Sequence, residues 1–150
     1  MGTRLCTSEK KSCGVVAGCG DTLRLMSDTP WPHFSSAELS CRHCGLMLMQ
    51  PDFMQRLERV RSRVGFVLPV SSGYRCPEHN ARVSTTGRSG PHTTGRAVDI
   101  RISGERVVFL VHAALSLGMT GIGVMQRGAH ERRFIHLDDL TDGRPRIWSY

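Results

Sequence analysis

The 150-residue chain predicts an α+β domain, and three stretches carry that expectation. Val98, Ile100 and Ile102 alternate with Asp99, Arg101 and Ser103, the two-residue period of a half-buried strand. Phe134 to Asp138 alternates again, with Ile135 and Leu137 on one face and His136 and Asp138 on the other. Phe53, Leu57, Val60 and Val64 instead recur at helical spacing behind Pro51, while Gln55, Glu58, Arg59, Arg61 and Arg63 turn to water. The length suits one domain with a core that needs no disulfide staples.

The elements follow in order. Residues 1–30 hold Gly14, Gly18 and Gly20 without periodicity and read as an irregular or disordered extension, leaving 31–150 as the domain. Ser35 and Glu38 form a capping-box pattern that starts a short helix ending near Ser40. The helix from Pro51 stops at Gly65. Phe66 to Val70 is expected as a strand, and Cys76 to Pro91, rich in Ser, Thr, Gly and Arg, as a loop that grips a ligand. Gly104 to Leu117 is apolar on most sides and predicts a helix buried against a sheet, with His112 a packing or surface residue. Gly121 to Met125 is a further strand whose glycines admit a close approach. A polar loop leads to the His136 strand, and Trp148 and Tyr150 share one side of a last short strand.

His92 and Asp99 are candidate metal ligands. Pro91 stiffens the approach to the histidine, Gly95 lets the backbone turn, and Asp99 leaves the face that Val98 and Ile100 bury. An imidazole with a carboxylate suits zinc, and His136 supplies a third donor. Any one of these residues alone is more often a hydrogen-bonded loop residue; the three together make the case.

Tyr74-Arg75, Glu78-His79-Asn80, Ser89 to Ile100, Gly121 to Val124, Phe134 to Asp138 and Trp148 to Tyr150 together resemble the zinc D-Ala-D-Ala carboxypeptidase family, and within it the compact phage and prophage endolysins that cut peptidoglycan peptides. The resemblance covers roughly Phe34 to Tyr150. It implies a hedgehog/DD-peptidase-like fold with an antiparallel sheet carrying the site. It also implies a zinc metallopeptidase acting on peptidoglycan stem peptides, as endopeptidase or D,D-carboxypeptidase. His92, Asp99 and His136 would hold one zinc and leave a position for water, whose pKa falls to roughly 7. Arg75 would hold the substrate carbonyl or carboxylate; the simpler alternative pairs it with Glu78.

The chain departs from the family's better-known members three positions before the last histidine. An acidic residue stands there in those members, and Arg133 stands there here. A guanidinium cannot take a proton from water. His130, Glu131 and Asp138 are the candidate replacements, with His130 or Asp138 favoured and Asp138 alternatively orienting His136. Arg133 also keeps open a noncatalytic wall-binding module on the same fold.

Six cysteines without an export signal argue for thiols or metal rather than a disulfide framework. Cys41-x-x-Cys44 with Cys76-x-x-His79 has the spacing of a structural zinc site, against partly buried thiols as the simpler alternative. A formal net charge of +7 implies an acidic partner, an anionic wall or nucleic acid. Basic residues are not interleaved with aromatics, so a nucleic-acid-binding zinc knuckle stays behind the wall reading. No run spans a bilayer and the N-terminus makes a poor secretory signal, so the chain is expected in the cytoplasm before release to the wall; separately, a monomer is expected. The resemblance then implies a separate membrane-permeabilising partner for export.

Overall fold

The structure, a computed structural model, describes residues 28–150. The expected extension at 1–30 lies almost entirely outside the described residues. Two longer helices back a five-stranded sheet. In chain order the elements are α1 (Ser36–Leu39), α2 (Pro51–Val64), β1 (Val70–Ser72), α3 (Pro77–Val83), β2 (Ala97–Arg101), α4 (Arg106–Ser116), β3 (Gly121–Met125), β4 (Phe134–Asp138) and β5 (Arg146–Ser149), with 3-10 turns at Pro91–Thr94 and His130–Arg132.

The helix ends follow from their chemistry. Ser35 and Glu38 exchange the two bonds of a capping box at α1. Pro51 opens α2, where its missing N–H has no partner to lose, and Gly65 closes it at φ 73°. Leu39, Phe53, Met54, Leu57 and Val60 are buried with Leu110, Ala113 and Ala114 of α4. Val98, Ile100, Ile122, Ile135 and Leu137 from the sheet join the same core.

The strands run in the order β1-β2-β4-β3-β5. The first three pairings are antiparallel, as expected, whereas β5 returns parallel to β3. The register aligns Ser72, Asp99, His136, Gly123 and Trp148 in one row across all five strands. That row lies on the face opposite Val98 and Ile100, because side chains alternate along a strand. A second row aligns Ala97, Asp138, Gly121 and Arg146.

Four expectations are corrected. The first strand is Val70–Ser72 rather than Phe66 to Val70, and Val67 is exposed. The stretch from Cys76 to Pro91 holds a helix, α3, since Pro77 suits a first helical position and the Cys76 thiol accepts from the His79 N–H. β2 is buried on both faces from Ala97 to Ile100, not on one, because the face bearing Asp99 is covered by the His92 turn. α4 buries one side only: Val108 is 69% and Phe109 60% exposed, since nothing among the described residues packs over its outer face.

An ionic cluster missed by the sequence reading ties the sheet to α2. Arg96 reaches Asp139 at 2.8 and 2.9 Å and Asp52 at 2.7 and 3.1 Å. Asp139 is buried, and its charge is met by bidentate Arg96 and by Arg56, whose Nη1 lies 3.4 Å from Oδ2.

Candidate active site

His92 sits in the turn Pro91–Thr94, which Gly95 ends at φ 73°. A side chain at Gly95 would be strained by that backbone and would strike the Leu48 carbonyl. The turn thereby folds back onto β2 and delivers His92 over Asp99. His92 Nε2 lies 3.2 Å from Asp99 Oδ1 and 3.2 Å from His136 Nδ1, and His136 Nδ1 lies 2.9 Å from Asp99 Oδ1. Ligand atoms ~2.0–2.1 Å from a tetrahedral zinc stand roughly 3.3 Å apart, so these spacings fit one ion.

The outer nitrogens decide what the inner ones offer. His92 Nδ1 lies 2.8 Å from the Gly73 carbonyl oxygen, which can only accept, so the ring proton sits there. His136 Nε2 lies 3.2 Å from Asp138 Oδ2. Burial raises the Asp138 carboxyl, but bonds from His136 and Arg144 outweigh it and hold it at about 2. Asp138 is therefore an acceptor, and it fixes the second ring proton away from the cluster. Two imidazole nitrogens and an ionised carboxylate oxygen then converge on one point, where a cation, or without one a proton on His136, offsets the carboxylate. A divalent cation satisfies all three donors at once.

The buried groups titrate accordingly. Burial pushes His92 down. For Asp99, burial acts upward but is outweighed by His92 and His136, which hold the carboxyl far below the usual range. For His136, burial acts downward but is overcome by Asp138 and Asp99, so its value is raised.

Arg75 donates through Nη2 to Asp99 Oδ2 at 2.5 Å and through Nε to Ser72 Oγ at 2.8 Å. The alternative partner, Glu78, pairs with Arg88 instead. Arg75 lines a cavity of about 570 Å³ whose floor is His92, Asp99 and His136. Asn80, Ser84 and Thr86 also line it, as do Arg144, Trp148 and Tyr150. The Trp148 ring lies 5.3 Å from His136. It can do so because position 123 is glycine: a Cβ there would stand 2.8 Å from the Trp148 and Tyr150 rings. A Cβ at Gly121 would strike the Asp138 carboxylate in the same way. Both glycines thus make the close approach that their strand position suggests.

The two candidate bases part company. Asp138 is fully buried behind His136, and both its oxygens accept from Arg144, at 3.1 and 2.8 Å. It orients a ring rather than facing the cavity. His130 is exposed, its Nδ1 3.0 Å from Ser103 Oγ, and it does not line the cavity. Arg133 turns its Nε to the Gly128 carbonyl. Among the described residues, the one side-chain carboxylate lining the cavity is Asp99, already engaged by Arg75. Arg144 escaped the sequence reading; its only signal was a basic residue six positions beyond Asp138.

Of the second predicted cluster the three thiols assemble, those of Cys41, Cys44 and Cys76 lying within 4.8 Å of one another; His79 stands outside that group, with Nδ1 3.4 Å from Cys41 Sγ.

No helix among the described residues is long and apolar enough to cross a membrane. Residues 32–138 match the family model described as Peptidase M15. The chain is also similar to the peptidoglycan L,D-endopeptidase MepK of Escherichia coli K12 and to the MepK of Shigella flexneri. Each is 31% identical over 106 residues, which is 67% of this chain and 54% of the relative. The chain thus spans about half the length of the curated relatives it matches. No solved structure matches it significantly. The family model spans both histidines and the aspartate that converge on one point, together with the strands that place them, and on that match the chain belongs to the Peptidase M15 family.

Proposed function

We propose that this protein is a zinc-dependent endopeptidase that cuts within the stem peptides of peptidoglycan. The observation that carries the reading is the convergence of His92, Asp99 and His136, with Arg75, on the floor of an open cavity. The named activity of the MepK relatives favours an endopeptidase over a D,D-carboxypeptidase. His92 Nε2, Asp99 Oδ1 and His136 Nδ1 would hold the ion. When bound, zinc polarises a carbonyl and acidifies a water molecule.

The chain's own residues supply the rest. Two of the five guanidinium N–H donors of Arg75 are committed to Ser72 and Asp99, which leaves others for the substrate carbonyl oxygen as it gains negative charge. Asp99 anchors the guanidinium, so the donor is fixed before substrate arrives. Trp148 covers the flank of His136 and limits water there. Arg146, stacked 5.1 Å from the Trp148 ring, places a cation at the rim suited to the carboxylates of a stem peptide.

A noncatalytic wall-binding module is the second reading, favoured by the absence of an unengaged side-chain carboxylate lining the cavity among the described residues. Mass analysis of defined muropeptides incubated with the zinc-loaded protein separates these readings. Two peptide fragments support the endopeptidase. Release of a single D-alanine would replace it with a carboxypeptidase, and intact peptide retained on the protein would replace it with the binder.

A further inference from the structure

We propose that Cys41, Cys44, Cys76 and His79 form a second zinc site, structural in role, which pins the strand-to-helix segment bearing Arg75. The three sulfurs stand within 4.8 Å of one another, and all three cysteines are free. Thiolates ~2.3 Å from a tetrahedral zinc lie roughly 3.8 Å apart, so a small inward movement closes the set.

The local structure is built for this. Cys41 to Gly45 is a tight turn, with the Gly45 N–H on the Cys41 carbonyl and the Cys41 N–H on Leu46, both at 2.8 Å. The turn brings Cys44 back beside Cys41. Cys76 caps α3, and its own N–H donates to Cys41 Sγ at 3.3 Å. N–H donors aimed at sulfur favour the thiolate, the form that binds metal. Cys44 is exposed, so packing does not explain why its sulfur faces two buried thiols. His79 is half-buried on the first turn of α3, with Nδ1 3.4 Å from Cys41 Sγ. His43, whose Nδ1 is 3.3 Å from Cys76 Sγ, is the exposed competitor for the fourth corner. Each ligating thiol gives its proton to solvent as the ion enters.

The site lies next to the first one in the chain. Cys76 follows Arg75 directly, and Gly73, whose carbonyl fixes His92, is three residues before it. An ion here would hold that segment against α1 and orient α3, which contributes Asn80 and Val83 to the cavity wall.

Zinc per full chain, measured by mass spectrometry after purification under reducing conditions, tests this without reference to activity. The expected values are two for wild type, one each for His92→Ala and Cys44→Ser, and none for the double variant, with far-ultraviolet circular dichroism confirming the fold. In the His92→Ala background, His79→Ala is expected to weaken zinc retention at least tenfold, and His43→Ala to leave it unchanged; the reverse overturns the assignment of His79. Cobalt substitution of His92→Ala is expected to give thiolate-to-cobalt charge-transfer absorption that survives replacing Cys6, Cys13 and Cys19 by serine. Absence of that absorption, or zinc content unchanged by Cys44→Ser, overturns the site.

Discussion

Asp99 and His136 stand directly opposite each other on β2 and β4, and Asp99 Oδ1 lies 2.9 Å from His136 Nδ1. Sheet register alone therefore sets two of the three proposed ligands, and only His92 depends on a turn. The row continues to Ser72 on one side, which steadies Arg75, and to Gly123 on the other, which admits Trp148. A single line across the sheet thus carries two of the donors, the hydroxyl that steadies Arg75, and the aromatic side chain.

Asp138→Asn tests the support behind that row. An amide presents either an N–H or a weaker acceptor to His136 Nε2, so the ring loses its enforced tautomer. Zinc affinity or turnover is expected to fall about 10- to 100-fold. Competition with a chelator of known affinity measures it, and an unchanged affinity would mean that the ring needs no such partner.

Much of this was legible in the residues. The alternation around Asp99 and His136 announces two strands, and the Pro91-to-Gly95 turn announces how a histidine reaches them. What could not be read was set by tertiary partners. The sequence offers Asp138 for proton transfer, whereas in the fold Arg144 occupies both its oxygens. The first turn of α3 was hidden by a polar composition that also suits a loop, although Pro77 marked its start. The outer face of α4 reads as buried because the sequence is apolar on most sides, yet only one side meets the core. His130 followed from sequence proximity to β4, whereas its side chain turns to Ser103.

Arg75→Ala is expected to lower kcat about 100-fold or more, the usual loss for a donor to a developing oxyanion, while the protein still retains zinc at His92, Asp99 and His136. Steady-state kinetics paired with metal analysis checks both halves. A loss of metal with the activity would make the residue a scaffold for Asp99 and nothing more.

His130→Ala separates sequence proximity from geometry. Its ring is exposed and outside the cavity, so turnover is expected to stay within about twofold of wild type, in line with an ordinary surface substitution. A loss of a hundredfold would restore it as the proton acceptor.

Proton linkage follows from the raised His136. Burial lowers its value, but Asp138 and Asp99 overcome that, so the metal-free ring holds a proton to higher pH than an ordinary histidine. Zinc must displace that proton. Affinity is therefore expected to weaken as pH falls through the imidazole range, with proton release near neutrality. Calorimetric titrations in two buffers of different ionisation enthalpy measure the release, and equal heats would contradict it.

The most direct test of the central claim is hydrolysis of a purified stem peptide by chelated protein before and after adding back zinc, with His92→Ala run in parallel. No hydrolysis is expected after chelation, with recovery on adding zinc and no recovery in the variant. Hydrolysis that survives either chelation or the loss of His92 would contradict that claim.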